Sequence, residues 1–161
     1  MSRHDGEQRA TSALAVSGIG FQLTRHGPVD SLTEAAAARG IEPSAIVKTI
    51  VVRRGDEDFL FVLVPGDRAI SWPKLRALLG VSRLSMPDAG TAREVTGYER
   101  GTITPFGSLT AWPVVADERV RGHQVSIGAG AHGVAATVDG DALVRSLGAT
   151  VADVTQDAPT A

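Results

Sequence analysis

The segment Ala45 to Val52 most constrains the fold of this chain, because it is a β-branched run interrupted by one ammonium group, that of Lys48. Such a run predicts a strand, and the alternation of a strand places Lys48 on the same face as Ile46 and Ile50. Both faces are apolar, which indicates a strand that is covered on both sides. The sequence therefore predicts a lysine on an otherwise buried strand.

Two interpretations of Lys48 are open at this point. Lysine is almost never fully buried without a partner, so a cleft or a bound anion beside Lys48 would explain its position. Alternatively, its aliphatic stem passes a sheet edge and its ammonium group reaches water. Only Lys48 and Lys74 among the 16 basic residues are lysines, and an amine, unlike a guanidinium, can fill a small pocket and shift its pKa on burial.

Length and charge limit the domain count and the partners. A chain of 161 residues with 43% hydrophobic content predicts one domain, which we place at residues 1–155, followed by a frayed tail at residues 156–161. The formal net charge of −2 provides no global basic field. We therefore expect no DNA partner, and any nucleic-acid contact must rest on a local patch.

Several kinds of chemistry are excluded by residue types that the sequence lacks. There is no cysteine for a disulfide or a thiolate, no G-x-S-x-G elbow, and no H-E-x-x-H or clustered carboxylate motif. We therefore expect no covalent hydrolase, no metal and no cofactor. No run approaches the roughly 18 apolar residues that span a membrane, so we expect a cytoplasmic protein with no membrane partner.

Helix and strand signals alternate along the chain. The polar turn over residues 53–58 predicts that Phe59 to Val64 folds back antiparallel on the Lys48 strand. Capping-box patterns at residues 31–34 and 91–94 predict two helix starts. A further helix is predicted from Trp72 to Leu79, with Leu75, Leu78 and Leu79 as its buried stripe, and a short strand is predicted over residues 82–85.

Two glycine-rich segments are candidate ligand-binding loops. Residues 97–107 and 128–133 each contain three glycines, which allow tight turns and a close approach of backbone amides to a ligand. Either segment could equally be only a loop. His132 lies in the second segment, whereas His26 and His123 are interpreted as surface or structural histidines.

Taken together and in order, these segments resemble the YbaK/prolyl-tRNA synthetase editing-domain family. The resemblance extends from about Leu14 to Thr155. It is carried by Val47-Lys48-Thr49, Pro65-Gly66-Asp67, Gly97-Tyr98, Gly101, Thr104-Pro105-Phe106-Gly107 and Ala116-Asp117.

The resemblance implies a YbaK-like α/β (α+β) fold, with a single mixed, mostly antiparallel curved sheet and flanking helices. It also implies a free-standing aminoacyl-tRNA deacylase that hydrolyses the ester of mischarged tRNA in trans. The implied partners are the 3′ aminoacyl end of mischarged tRNA and an aminoacyl-tRNA synthetase, and no cofactor is implied.

The resemblance also implies site residues. Lys48 matches the essential lysine of the family and is the implied catalytic group, while Gly101 and Pro105 match a G-x-x-x-P motif. His132 is similar to a histidine of the alanyl-specific branch, and both a site role and a loop role are open for it. The implied substrate-binding residues are Thr49, Gly101, Thr104, Pro105, Gly128, Gly130 and His132.

An aminoacyl ester is already activated, so such an enzyme needs no covalent nucleophile. We expect the Lys48 ammonium to bind the terminal phosphate or the carbonyl oxygen, with Arg53, Arg54 or Arg100 completing a local basic patch. Two alternatives stay open: a non-catalytic module of the same fold that binds tRNA ends or small ligands, and a hydrolase for another small ester or amide.

Overall fold

A computed structural model describes residues 3–159 of the chain, with side chains from residue 5 onward. Within this range the chain forms five α-helices, two short 3-10 helices and nine strands. The α-helices are α1 (Arg3–Ser17), α2 (Leu32–Arg39), α3 (Trp72–Leu79), α4 (Ala89–Thr96) and α5 (Gly140–Ser146). The strands are β1 (Gln22–Arg25), β2 (Ile46–Gly55), β3 (Asp58–Pro65), β4 (Arg68–Ile70), β5 (Val114–Asp117), β6 (Gln124–Gly128), β7 (Val134–Asp139), β8 (Thr150–Ala152) and β9 (Thr155–Asp157).

Seven of these strands form one mixed sheet in the order β1-β7-β6-β2-β3-β5-β8. The antiparallel pairings extend over four to eight residue pairs; they join β1 with β7, β6 with β7 and β2 with β3. The parallel pairings extend over only two or three residue pairs; they join β2 with β6, β3 with β5 and β5 with β8. The predicted mixed, mostly antiparallel sheet with flanking helices is confirmed.

The predicted hairpin of β2 and β3 forms the centre of the sheet. Lys48 lies opposite Val64 in its register. Alternate residues of β3 enter two different core clusters, with Phe61 on one face of the strand and Val62 on the other. Because β3 is buried on both faces, the hairpin is the part of the molecule that hydrophobic burial fixes most strongly.

The helix starts agree only partly with the capping patterns. Ser31 caps α2, and its hydroxyl accepts from the Glu34 amide at 3.1 Å. The Glu34 carboxylate reaches one residue further back than predicted and accepts from the Asp30 amide at 2.6 Å. The capping box predicted at residues 91–94 is wrong, because Asp88 caps α4 and accepts from the Thr91 amide at 2.7 Å.

Two other local predictions are wrong. Leu78 is 39% exposed, because α3 packs on the core through Leu75 and turns its next residues toward solvent. Residues 82–85 form no strand; only Ser85 pairs with the sheet, through a single bridge to Arg53.

The C-terminal segment belongs to a second, two-stranded sheet that the sequence did not predict. In it β9 pairs antiparallel with β4, and Asp157 lies opposite Arg68. The predicted tail therefore begins too early, because Gln156 and Asp157 are held by strand pairing and by a 2.9 Å salt bridge from Arg68 to Asp157. Over the described residues, no helix combines the length and the apolar character needed to cross a membrane.

Candidate functional site

The candidate site is a cleft at the point where β2 and β6 separate. These parallel strands pair only at Ile46 with Ser126 and at Val47 with Ile127. Beyond these pairs β6 enters the glycine-rich loop at 128–133, while β2 continues along β3. Neighbouring parallel strands that part in this way leave a crevice at their carboxyl ends, and here it has a volume of about 470 Å³.

Five of the eight predicted site residues lie together in this cleft. They come from β2, from the loop that follows α4, and from the end of β6 and the loop that follows it. They are Lys48, Thr49, Gly101, Gly128 and His132.

Lys48 is half-buried at the cleft, and its Nζ donates to the main-chain carbonyl of Arg68 at 2.7 Å. Burial lowers the pKa of Lys48 from the ordinary lysine value, and the nearby charge of Asp67 opposes this shift. The desolvation cost weakens the preference for the charged form, while the Asp67 charge supports it. The geometry places a partly desolvated cation where a ligand can reach it, which is typical of functional sites.

Thr49, the next residue on β2, has a buried hydroxyl oxygen without a hydrogen-bond partner among the residues that the structure describes. A buried hydroxyl without a partner costs free energy. Because Thr49 also lines the cleft, its unpaired hydroxyl lies beside the space that a ligand would occupy.

The two predicted glycine-rich loops pack against one another beside Lys48. The Gly130 amide donates to the Thr102 carbonyl at 3.1 Å. A Cβ on Gly128 would lie only 3.2 Å from the Ile103 carbonyl oxygen. Gly101 has a φ of +90°, a conformation that favours glycine, and a Cβ there would lie 3.6 Å from the His132 Cε1.

The first of these loops is anchored by Tyr98. Its ring is almost fully buried, and its hydroxyl donates to the Phe106 carbonyl at 2.7 Å. Burial raises the pKa of Tyr98 to about 12, against the opposing effect of the Arg9 guanidinium, which lies 4.7 Å from the ring centre. Tyr98 therefore stays protonated and fixes the loop.

His132 is an accessible residue of the cleft, with 62% of its side chain exposed. Its Nε2 lies 3.2 Å from a Glu99 carboxylate oxygen. In the neutral imidazole, the tautomer with its proton on Nε2 donates a hydrogen bond to this carboxylate. The pair joins the two loops at the rim of the cleft.

Three predicted substrate-binding residues do not line the cleft. Thr104 is buried, and its hydroxyl accepts from the Phe106 amide at 3.3 Å. The Pro105 carbonyl accepts from the Ser108 amide at 3.4 Å. Gly130 packs against the backbone of α1. These residues shape the loops, and direct contact between any of them and a substrate stays a prediction.

A cationic group that the sequence did not predict also lines the cleft, that of Arg39 at the end of α2. Its Nη1 donates to the Ser126 hydroxyl at 3.1 Å, and its Nε donates to the His26 Nε2 at 3.4 Å. His26 Nδ1 lies 2.9 Å from the Gly27 carbonyl, so the consistent tautomer carries its proton on Nδ1. Within residues 3–159 no carboxylate pairs with Arg39, and burial lowers its pKa.

One part of the cleft lining is apolar. Val29, Leu32 and Ala35, from α2 and the turn before it, face Ile46 of β2. The cleft thus combines two cations, loop amides and an apolar wall, a combination that fits a ligand with an anionic and an apolar part.

The arginines predicted to extend the patch lie elsewhere. Arg53 and Arg54 line a separate cleft at the other end of β2. Arg100 interacts electrostatically with the Asp88 carboxylate. The part of the chain that the structure describes contains no cluster of three or more histidine, aspartate or glutamate side chains arranged to hold a metal ion.

The fold and the cleft are those of an aminoacyl-tRNA editing domain, as two comparisons with known proteins show. The structure superposes with a TM-score of 0.86, at 28% identity, on a protein described as a candidate trans-editing enzyme for prolyl tRNA synthetase. The superposition covers 94% of this chain and 97% of that protein.

Residues 26–146 match the family described as the aminoacyl-tRNA editing domain. This chain belongs to that family, and the matched range contains every residue of the cleft named above.

Curated relatives that resemble the chain are much longer proteins. It is 33% identical over 102 residues to a proline–tRNA ligase of Lactobacillus gasseri, a match that covers 63% of this chain and 18% of the ligase. It is 36% identical over 87 residues to the proline–tRNA ligase of Desulforamulus reducens, covering 54% of this chain and 15% of the ligase. The chain thus matches less than a fifth of either ligase.

Proposed function

We propose that this protein is an aminoacyl-tRNA deacylase that hydrolyses the ester of mischarged tRNA in trans. One observation carries the proposal: the half-buried Lys48 ammonium lies in a cleft lined by the glycine-rich loops of an editing-domain chain. Mischarged tRNA is the proposed substrate, an aminoacyl-tRNA synthetase is a proposed partner, and the cytoplasm is the proposed location.

The proposed reaction is direct hydrolysis. Water attacks the ester carbonyl carbon, the bond between that carbon and the ribose oxygen breaks, and the ribose oxygen takes up a proton. Free amino acid and tRNA are the products. Because the aminoacyl ester is already activated, positioning and charge stabilisation suffice and no covalent intermediate forms.

Each part of the cleft has a role in this proposal. Lys48 stabilises the negative charge that develops on the carbonyl oxygen. Arg39 holds the phosphate of the terminal nucleotide, for which a guanidinium is well suited. Loop amides near Gly101 and Gly128 orient the ester, and His132 contacts the substrate at the rim. The apolar wall of the cleft accommodates the side chain of the amino acid.

The experiment is a deacylation screen of the purified protein against a panel of mischarged tRNAs. The wild-type protein is expected to release amino acid from at least one of them, and Lys48→Ala is expected to abolish the release. Lys74→Ala is the matched control, because Lys74 is the only other lysine and binds Asp153 outside the cleft. Full activity of Lys48→Ala would overturn the role of Lys48.

The same screen separates the alternatives. Tight tRNA binding without hydrolysis of any tested ester would support a non-catalytic binding module. Hydrolysis of free amino-acid esters at the same efficiency as aminoacyl-tRNA would support a hydrolase for small esters.

A further inference from the structure

A second cleft, with a volume of about 520 Å³, opens beside the tip of the β2–β3 hairpin. Four arginines from three separate segments line it: Arg53 and Arg54 from β2, Arg76 from α3 and Arg83 from the segment that follows α3. We call this feature the arginine cleft. It holds a quarter of the 16 basic residues of a chain whose net charge is −2.

Backbone hydrogen bonds hold the walls of the arginine cleft together. The Arg53 amide donates to the Ser85 carbonyl at 2.7 Å, and the Ser85 amide donates to the Arg53 carbonyl at 3.1 Å. This bridge ties the segment that carries Arg83 to the hairpin. Arg76 is half-buried, so its stem packs against protein while its charge lines the cleft. The four guanidinium groups are therefore brought together by the fold.

The carboxylates around the arginine cleft neutralise only part of its charge. Arg53 forms a salt bridge with Asp56 at 2.8 Å, but the Asp56 side chain is fully exposed. Exposed salt bridges of this kind have small interaction free energies. Arg54 pairs with Asp58 at 3.0 Å. Arg76 and Arg83 have no ion pair with any residue that the structure describes. The arginine cleft thus carries a net positive charge.

We propose that the arginine cleft binds the phosphate backbone of the acceptor stem of tRNA, an inference that rests on the proposed function. Guanidinium groups match phosphate oxygens with two parallel hydrogen bonds, and several of them in one cleft can bind consecutive phosphates. The cleft is compact enough to bind a few phosphates, which suits a chain without a global basic field.

The distance between the two clefts supports this assignment. Lys48 and Arg53 lie on the same strand, five residues apart. At about 3.3 Å per residue this separation is roughly 17 Å. A short single-stranded 3′ end can extend over that distance, so the ester reaches Lys48 while the first phosphates of the stem lie in the arginine cleft.

The test measures binding of uncharged tRNA, which does not require hydrolysis. The double variant Arg76→Gln/Arg83→Gln removes the two arginines without ion pairs. The control is the double variant Arg121→Gln/Arg145→Gln, whose two arginines line neither cleft. Arg145 matches Arg76, because each lies in the last turn of a helix. Arg121 matches Arg83, because both are exposed loop arginines. Affinity is measured by fluorescence anisotropy over a series of salt concentrations.

The arginine-cleft variant is expected to bind tRNA about tenfold more weakly. The plot of log association constant against log salt concentration should also become less steep, its negative slope shrinking in magnitude by about 2. Its kcat/KM for an aminoacyl ester without a stem should equal that of the wild type. Equal tRNA affinity and salt slope in the variant and the wild type, an equal loss in the control, or no tRNA binding by the wild type would each overturn the inference. Salt-dependent binding through the arginine cleft without hydrolysis of any ester would support it while contradicting the proposed function.

Discussion

The ammonium group of Lys48 and the main-chain carbonyl of Arg68 lie 2.7 Å apart, and this hydrogen bond connects the cleft to β4, which pairs with β9. Arg68 Nε donates to the Thr155 hydroxyl at 2.6 Å, and its Nη1 donates to Asp157 at 2.9 Å. The β4–β9 sheet therefore supports the residue that holds the candidate catalytic group.

Thr155→Val is expected to destabilise the fold. The buried Thr155 hydroxyl donates to the Asp117 carboxylate at 2.9 Å and accepts from Arg68. Removing it leaves the fully buried Asp117 with one donor fewer, a loss of about 1–3 kcal/mol in the free energy of unfolding. Urea unfolding measures this loss. Thr137→Val on β7 is the control, and equal effects of both substitutions would contradict the structural role of Thr155.

Gly130→Ala is expected to reduce stability more than an alanine at another glycine with positive φ. Gly130 has a φ of +85°, and a Cβ there would overlap the Gly6 carbonyl oxygen. Gly122 has a φ of +90° with open space around it, so Gly122→Ala measures the backbone strain alone. We expect the Gly130 variant to lose at least about 1 kcal/mol more in thermal or urea unfolding. Identical losses would mean that the loop shifts freely.

The pKa of Lys48 should lie below the ordinary lysine value of about 10.4, because burial disfavours its charged form. In a Lys74→Arg variant Lys48 is the only lysine, so its NMR titration is read without overlap. The folded state then loses the Lys48 proton at a lower pH than the unfolded state does. Stability should therefore rise with pH between the two pKa values, while ester hydrolysis that needs the ammonium group falls. A titration at or above the ordinary value would contradict this account.

Arg39→Ala should lower kcat/KM for an aminoacyl-tRNA by about 10- to 100-fold, as expected when a charged hydrogen bond to substrate is lost. Arg39→Lys should recover only part of the activity, because an ammonium group does not reproduce the planar fork. Steady-state kinetics with both variants checks this. If Arg39→Lys and Arg39→Ala both match the wild type, Arg39 has only its structural bonds to Ser126 and His26.

The strand pattern predicted the hairpin, because burial on both faces leaves a clear apolar run on β2 and β3. The pattern also identified Lys48, since a charged side chain is unusual in an otherwise apolar, buried strand. The glycine content indicated the two candidate loops, and the resemblance assigned Gly101, Gly128 and His132 within them to the site. The structure brings these three residues to one cleft.

Other features had no signal in the sequence. Arg39 was missed because an arginine in the last turn of a helix is common, and its neighbour Ser126 is 87 residues away in the chain. The cleft itself depends on the short parallel pairing of β2 with β6, a long-range contact that local patterns do not encode. Thr104 was expected at the site, but its hydroxyl satisfies a backbone amide inside its own loop.

The most direct test of the account is the kcat/KM of Lys48→Met for the best mischarged tRNA found in the screen. Methionine keeps the aliphatic bulk and removes the charge together with the hydrogen bond to Arg68, so the free energy of unfolding should fall by no more than about 3 kcal/mol. We predict that kcat/KM falls at least about 100-fold, as when a group that stabilises an oxyanion is removed, while Lys74→Met stays near the wild-type value. A folded Lys48→Met protein with wild-type kcat/KM would contradict the central claim.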